Sequence, residues 1–144
     1  MESPRHRQTL EVAFGDTDAS GWVHFPNIFR YVELAEHTFL SSRGIVVFDR
    51  NEGGWPRVNV SADFKRPLQL GDRIEVLLGI SRIGAASVTW DFEVIGGDGE
   101  LAASGSMTTV RVGADGKPQI LSEGERVKLE SLNFQPQMNA DERE

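Results

Sequence analysis

The sequence predicts an α+β domain in which an antiparallel sheet of about five strands wraps one long central helix. Three observations carry that expectation. A period-2 segment stands at the start, a single long amphipathic stretch follows it, and everything after residue 55 reads as strands joined by short glycine turns. Turns that short link antiparallel neighbours, because a parallel crossover needs a dozen residues or more.

From Gln8 to Phe14 the side chains Leu10, Val12 and Phe14 alternate with Thr9, Glu11 and Ala13, which predicts the first strand. Pro26 suits a first helical position, where its missing N–H has no intrahelical partner to lose. Ile28, Val32, Ala35 and Phe39 then form one apolar stripe, and Gly44 suits the left-handed position that ends a helix near Arg43. Val46–Trp55 shows no sustained period and reads as a connection. Val58, Val60, Ala62 and Phe64 alternate with Arg57, Asn59, Ser61 and Asp63 up to Pro67 and the Gly71-Asp72 turn. Strands are predicted at Arg73–Ile80, around Val88–Val94 and at Leu101–Val112, with Gly96-Gly97-Asp98-Gly99 as a hairpin turn. The small residues Ala103, Ser104, Gly105 and Ser106 suggest close approach by a helix or ligand. Ser122 caps a last short helix, so the domain is expected over residues 1–132, with 133–144 a polar, frayed tail.

Composition narrows function by exclusion. The 144 residues carry a net charge of −7, so the broad positive field that attracts nucleic acid is missing. No cysteine is present, which removes disulfides, thiol nucleophiles and thiolate zinc sites together. No apolar run approaches the ~18 residues of a membrane span, and the N-terminus lacks the apolar core of a leader, so a cytoplasmic protein is expected. His6, His24 and His37 show no metal-ligand spacing, and His6 and His37 read as surface residues. Ser20, Ser104 and Ser106 lack the nucleophile elbow of a serine hydrolase, and Gly97-Asp98-Gly99 fails the dinucleotide pattern.

What remains is Phe14-Gly15-Asp16-Thr17-Asp18-Ala19-Ser20-Gly21-Trp22-Val23-His24-Phe25-Pro26-Asn27, where two carboxylates and a histidine crowd the start of the helix. Asp and Thr favour turns and caps, so a purely local role competes with chemistry here. A carboxylate beside a helix N-terminus, partly desolvated by Trp22 and Phe25, is also equipped to act as nucleophile or general base next to carbonyl-polarising amides. Local physics does not choose between Asp16 and Asp18. Glu33 and Glu36 read as solvated helix residues, with a place in a dimer interface as the alternative for one of them.

This stretch resembles the opening motif of the 4-hydroxybenzoyl-CoA thioesterase family, and Arg66-Pro67 with Gly71-Asp72 extends the likeness more loosely. The resemblance implies a hotdog fold and acyl-CoA thioester hydrolysis without a cofactor or metal. It implies Asp18 as the catalytic carboxylate, Asp16 as structural and the Phe25 backbone amide as oxyanion donor; His24, read from its own side-chain chemistry, is a candidate catalytic base against a capping or half-buried role before the helix. It further implies substrate contacts at Trp22, Pro26, Asn27, Asn59 and Ser61, and CoA phosphates at Lys65, Arg66 and Arg82. Homodimers or homotetramers with sites between protomers follow from the same likeness. Trp22 is bulkier than the family's small aliphatic residue, and Gly84-Ala85-Ala86 lacks its basic cluster, so the acyl group stays open. His24-Phe25-Pro26 is also similar to the motif of hotdog 3-hydroxyacyl-thioester dehydratases, with Glu36 as the assisting carboxylate. A non-catalytic acyl-CoA-binding protein is the third alternative.

Overall fold

The computed structural model describes residues 5–132, so the tail expected over 133–144 lies outside the described residues. Its strands are β1 (His6–Glu11), β2 (Phe48–Asp49), β3 (Gly53–Gly54), β4 (Arg57–Phe64), β5 (Arg73–Ile83), β6 (Ser87–Ile95) and β7 (Leu101–Val110), and its helices α1 (Pro26–Ser42) and α2 (Glu123–Glu130). Five strands form one antiparallel sheet in the order β1-β5-β6-β7-β4, which bears out the expected α+β hotdog architecture. The connection before Trp55 contains the small β2-β3 hairpin.

The core forms between α1 and one face of the sheet. Ile28, Val32, Ala35 and Phe39, the stripe read from the sequence, are all buried and meet Val76, Leu78, Trp90, Phe92 and Val94. Phe39 sets its ring 6.0 Å from that of Trp90, whose indole N–H donates to Thr109 Oγ1 at 3.1 Å. That bond satisfies the one polar atom a buried tryptophan brings. Gly44, at φ 73°, ends the helix as expected. Beyond β7, the Ser122 hydroxyl accepts from Glu125 N while Glu125 Oε1 accepts from Ser122 N, a reciprocal cap that starts α2. Arg111 ties α2 down through Glu125 at 2.9 Å and lies 5.7 Å from the Trp55 ring.

Three details differ from the sequence reading. The first strand starts at His6 and stops at Glu11, and Phe14–Asp16 forms a 3-10 turn that leaves Phe14 77% exposed. The alternation breaks because Asp16 Oδ2 accepts from the Ala13 amide at 3.0 Å and curls the chain. His6 is half-buried, its ring 5.9 Å from that of Phe39. Finally, Gly105 is crowded by the neighbouring strand: a Cβ there would meet Ser61 O at 2.0 Å and Phe92 Cζ at 2.8 Å. Gly105→Ala is therefore expected to cost about 2 kcal/mol of stability through overpacking, read from the midpoint of urea denaturation.

Candidate active site

The loop between β1 and α1 is built on Asp16, which is only 9% exposed. Its carboxylate accepts from Ala13 N at 3.0 Å, Tyr31 OH at 2.8 Å and Arg30 Nη2 at 2.5 Å. Burial alone would push this carboxyl up, but those three donors outweigh it and hold the pKa below the ordinary value. Its carbonyl accepts from His24 N and from Asn27 Nδ2, both at 2.9 Å. Asn27 Oδ1 in turn accepts from Arg30 Nε at 3.0 Å, so both ends of the Asn27 amide are engaged inside the loop. Asp16 is thus the hub that fixes the loop to the first turns of α1.

Asp18 stands in the opposite condition, exposed at the surface of the loop. Its Oδ1 accepts from Ser20 N at 2.9 Å and from Ser20 Oγ at 2.5 Å, and its Oδ2 lies 3.2 Å from His24 Nδ1. The Ser20 hydroxyl and amide, with a smaller contribution from His24, hold the carboxyl below its usual pKa. Trp22 and Phe25 do not desolvate it as expected, since they are themselves 51% and 59% exposed. Any shielding of this carboxylate has to come from a molecule docked on the loop.

Pro26 is the first residue of α1, and the chain enters the helix at Phe25 with φ −56° and ψ −34°. The amides of Asn27 and Ile28 donate back to His24 O and Phe25 O, whereas the Phe25 amide donates to no described residue. A free amide at the positive end of a helix suits a developing oxyanion. Thr17 and Val23 pair across the loop, and His24 Nδ1 meets Asp18 Oδ2 one residue before this helix entry.

A cleft of about 270 Å³ adjoins the loop. Trp22, Phe25 and Phe64 wall it, Ile28, Leu68 and Ala102 form an apolar floor, and Lys65 and Arg66 are at its border. The Phe64 ring lies 5.7 Å from that of Phe25 and 6.2 Å from that of Phe29 in edge-on contacts. Phe64 is a wall residue that sequence reasoning did not single out, although its place on the apolar side of β4 was already visible in the alternation.

The structure separates the other β4 and β5 candidates from this cleft. Asn59 pairs with Thr108, Thr108 with Thr89 and Thr89 with Arg82, so Asn59 and Arg82 share one row across the sheet. That row, like Ser61 opposite Ser106, is on the face away from α1, because the intervening Met107 is a core residue. From Ala103, the partner of Phe64, to Thr108 is five residues, which puts the Arg82 row about 17 Å along the strands from the cleft. Within one protomer Arg82 therefore does not join Lys65 and Arg66 in a single phosphate-binding patch. Arg66 is moreover shared with Asp98 at 3.7 Å and Glu100 at 4.0 Å.

Glu36 is the largest departure from expectation. It is fully buried, its Oε1 accepting from both Nη atoms of Arg57 at 3.1 and 3.0 Å, while its Oε2 is unpartnered among the described residues. Desolvation pushes its pKa up to about 7 despite Arg57. Arg57 also donates to Glu33 Oε2 at 2.9 Å. A bulge between Arg57 and Asn59 makes this possible by turning Arg57 toward α1, where simple alternation would have pointed it away. Glu36 is ten residues along α1 from Pro26, about 15 Å, so one chain does not bring it to His24 as a dehydratase pair would require.

The family model described as the thioesterase-like superfamily matches residues 12–138. The chain is 34% identical over 131 residues to a 1,4-dihydroxy-2-naphthoyl-CoA hydrolase of Parasynechococcus marenigrum, covering 81% of this chain and 84% of the relative. Among solved structures, a gentisyl-coenzyme A thioesterase superposes with a TM-score of 0.78 at 28% identity, over 85% of this chain and 98% of the other. A thioesterase of Thermus thermophilus, solved with coenzyme A and zinc, gives a TM-score of 0.77 at 28% identity over 92% and 97%.

Proposed function

Because this chain belongs to the thioesterase-like superfamily and is a thioester hydrolase, we propose that its substrate is an acyl-CoA, attacked at Asp18 with the Phe25 amide holding the oxyanion. The observation that supports this reading is Asp18 Oδ2, which has only the His24 ring as partner at 3.2 Å, with the Phe25 amide, next in the chain to His24, donating to no described residue. In the nucleophilic course Oδ2 bonds the thioester carbon, the C–S bond breaks, the CoA thiolate takes a proton from solvent, and water cleaves the mixed anhydride. In the general-base course Asp18 takes a proton from water as that water attacks, and the proton passes to the departing thiolate. His24, at 3.2 Å, is placed to orient the carboxylate in either.

The acyl group we propose is a hydroxylated aromatic one. A cleft of about 270 Å³ walled by Trp22, Phe25 and Phe64 suits a flat ring and is too small for a whole CoA ester. The similarity to proteins named for naphthoyl-CoA and gentisyl-CoA supports the same class. We further propose a homodimer formed through β4, or a tetramer built from two such dimers. That strand is at the edge of the sheet and exposes Val58, Val60 and Phe64 at 60%, 43% and 48%. An uncovered apolar edge is an assembly surface, and a second protomer there would supply the shielding that Asp18 lacks.

The test is a thiol-release screen over short, long, branched and aromatic acyl-CoAs. Release from aromatic esters is the expected result, and no release from any ester overturns the reading. Phe64→Ala should raise KM for the aromatic esters by roughly three- to tenfold while changing KM for short aliphatic ones little, as removal of one ring contact predicts.

A further inference from the structure

Ser20 takes part in no part of the chemistry described so far, yet it makes more contacts with the proposed catalytic carboxylate than any other residue. Its amide and its hydroxyl both reach Asp18 Oδ1, at 2.9 and 2.5 Å. The direction of the hydroxyl proton follows from a third bond: Trp22 N donates to Ser20 Oγ at 3.1 Å and occupies an oxygen lone pair, which leaves the O–H to point at Asp18. Oδ1 thus receives two donors from one residue, while Oδ2 has only the His24 ring.

We infer that Ser20 is a positioning residue that locks Oδ1 and so presents Oδ2 of Asp18 as the one reactive oxygen. This rests on the hydrolase reading of Asp18 and deepens it. A carboxylate free to spin about its last torsion offers either oxygen in many orientations, whereas one pinned at Oδ1 offers a single oxygen along one line. The same two bonds stabilise the ionised form, which is the form required of either a nucleophile or a base. Removing the hydroxyl costs the loop one backbone bond, from Trp22 N, while the Asp18 N–Trp22 O bond, the Thr17–Val23 and Trp22–Gln69 bridges and Asp16 still hold its backbone.

The experiment compares wild type, Ser20→Ala and Ser20→Thr by two readouts. One is the pH dependence of benzoyl-CoA hydrolysis, and the other is the titration of the Asp18 carboxyl carbon by NMR in protein labelled at aspartate. Ser20→Ala should lower kcat about tenfold with KM within about twofold, as loss of orientation without loss of binding predicts. Its acid limb in kcat/KM and its Asp18 titration should both move to higher pH, and Ser20→Thr should restore both. The inference is overturned if the Asp18 titration in Ser20→Ala matches wild type, or if threonine behaves as alanine does. Should wild type leave benzoyl-CoA and every other ester intact, the hydrolase reading fails by that result, and the carboxyl titration still decides whether Ser20 holds Asp18.

Discussion

Asp18→Asn is expected to lower kcat by about 10²–10⁴-fold with folding unchanged, the range typical of losing a positioned acid–base or nucleophilic group. Asparagine keeps the shape and its Oδ1 still accepts from Ser20 N and Oγ, so the loop retains its bonds. It loses the charge and replaces the second carboxylate oxygen with an amide nitrogen. Because Asp18 is exposed, its replacement leaves no buried group unsatisfied, and the thermal midpoint should match wild type. The contrast is Asp16→Asn, where three donors, two of them from Arg30 and Tyr31, lose a charged acceptor in a largely buried position. That variant should fall first in stability and only secondarily in rate. An Asp18→Asn enzyme that turns over any good ester at near wild-type rate removes Asp18 from the mechanism.

Arg57→Ala is expected to destabilise the fold by about 3 kcal/mol, the lower end for stranding one member of a buried ion pair. The lower end applies because the Arg57 side chain is 21% exposed and water reaches part of it. The cost falls on Glu36, which is fully buried and left with no cation. Glu36→Gln should be far milder, since a neutral amide oxygen still accepts from Arg57 and carries no charge to desolvate. The same residue sets a pH dependence. With its pKa raised from 4.5 to about 7, folded Glu36 keeps a proton that the unfolded chain has released across that window. More protons bound to the folded state means that stability falls as pH rises from 4.5 through about 7 and then levels off. Glu36→Gln should flatten that fall. Urea denaturation of wild type and variant at pH 5 and pH 8 measures both effects, and a Glu36→Gln variant whose stability changes between the two values as much as that of wild type refutes the raised pKa.

Much of the fold was legible because periodicity reports burial directly. The stripe Ile28, Val32, Ala35, Phe39 is the buried face of α1, and Val88, Trp90, Phe92 and Val94 are the buried face of β6. Where alternation misled, a local interaction had changed its phase: the Asp16 turn released Phe14 to solvent, and the bulge after Arg57 reversed the side to which that arginine points. Neither a side-chain bond to the backbone nor a bulge leaves a periodic trace in the chain. Glu36 was misread for a related reason, since a carboxylate at a core position looks like a solvated one until its arginine, 21 residues away, is placed.

By itself the sequence determined the helix and most strands, through apolar spacing and glycine turns, and through the motif at residues 14–27 it determined which family the chain resembles. It could not separate Asp16 from Asp18 physically, because both are carboxylates in one turn-prone segment. Only the tertiary structure did that: Tyr31 and Arg30, from the first turns of α1, converge on buried Asp16 and consume its acceptors, while exposed Asp18 has one oxygen held by Ser20 and the other facing only the His24 ring. Long-range register likewise decided that Phe64 walls the cleft while Asn59, Ser61 and Arg82 face the other side of the sheet. Strand pairing sets such groupings, and a pairing joins residues that no local pattern connects.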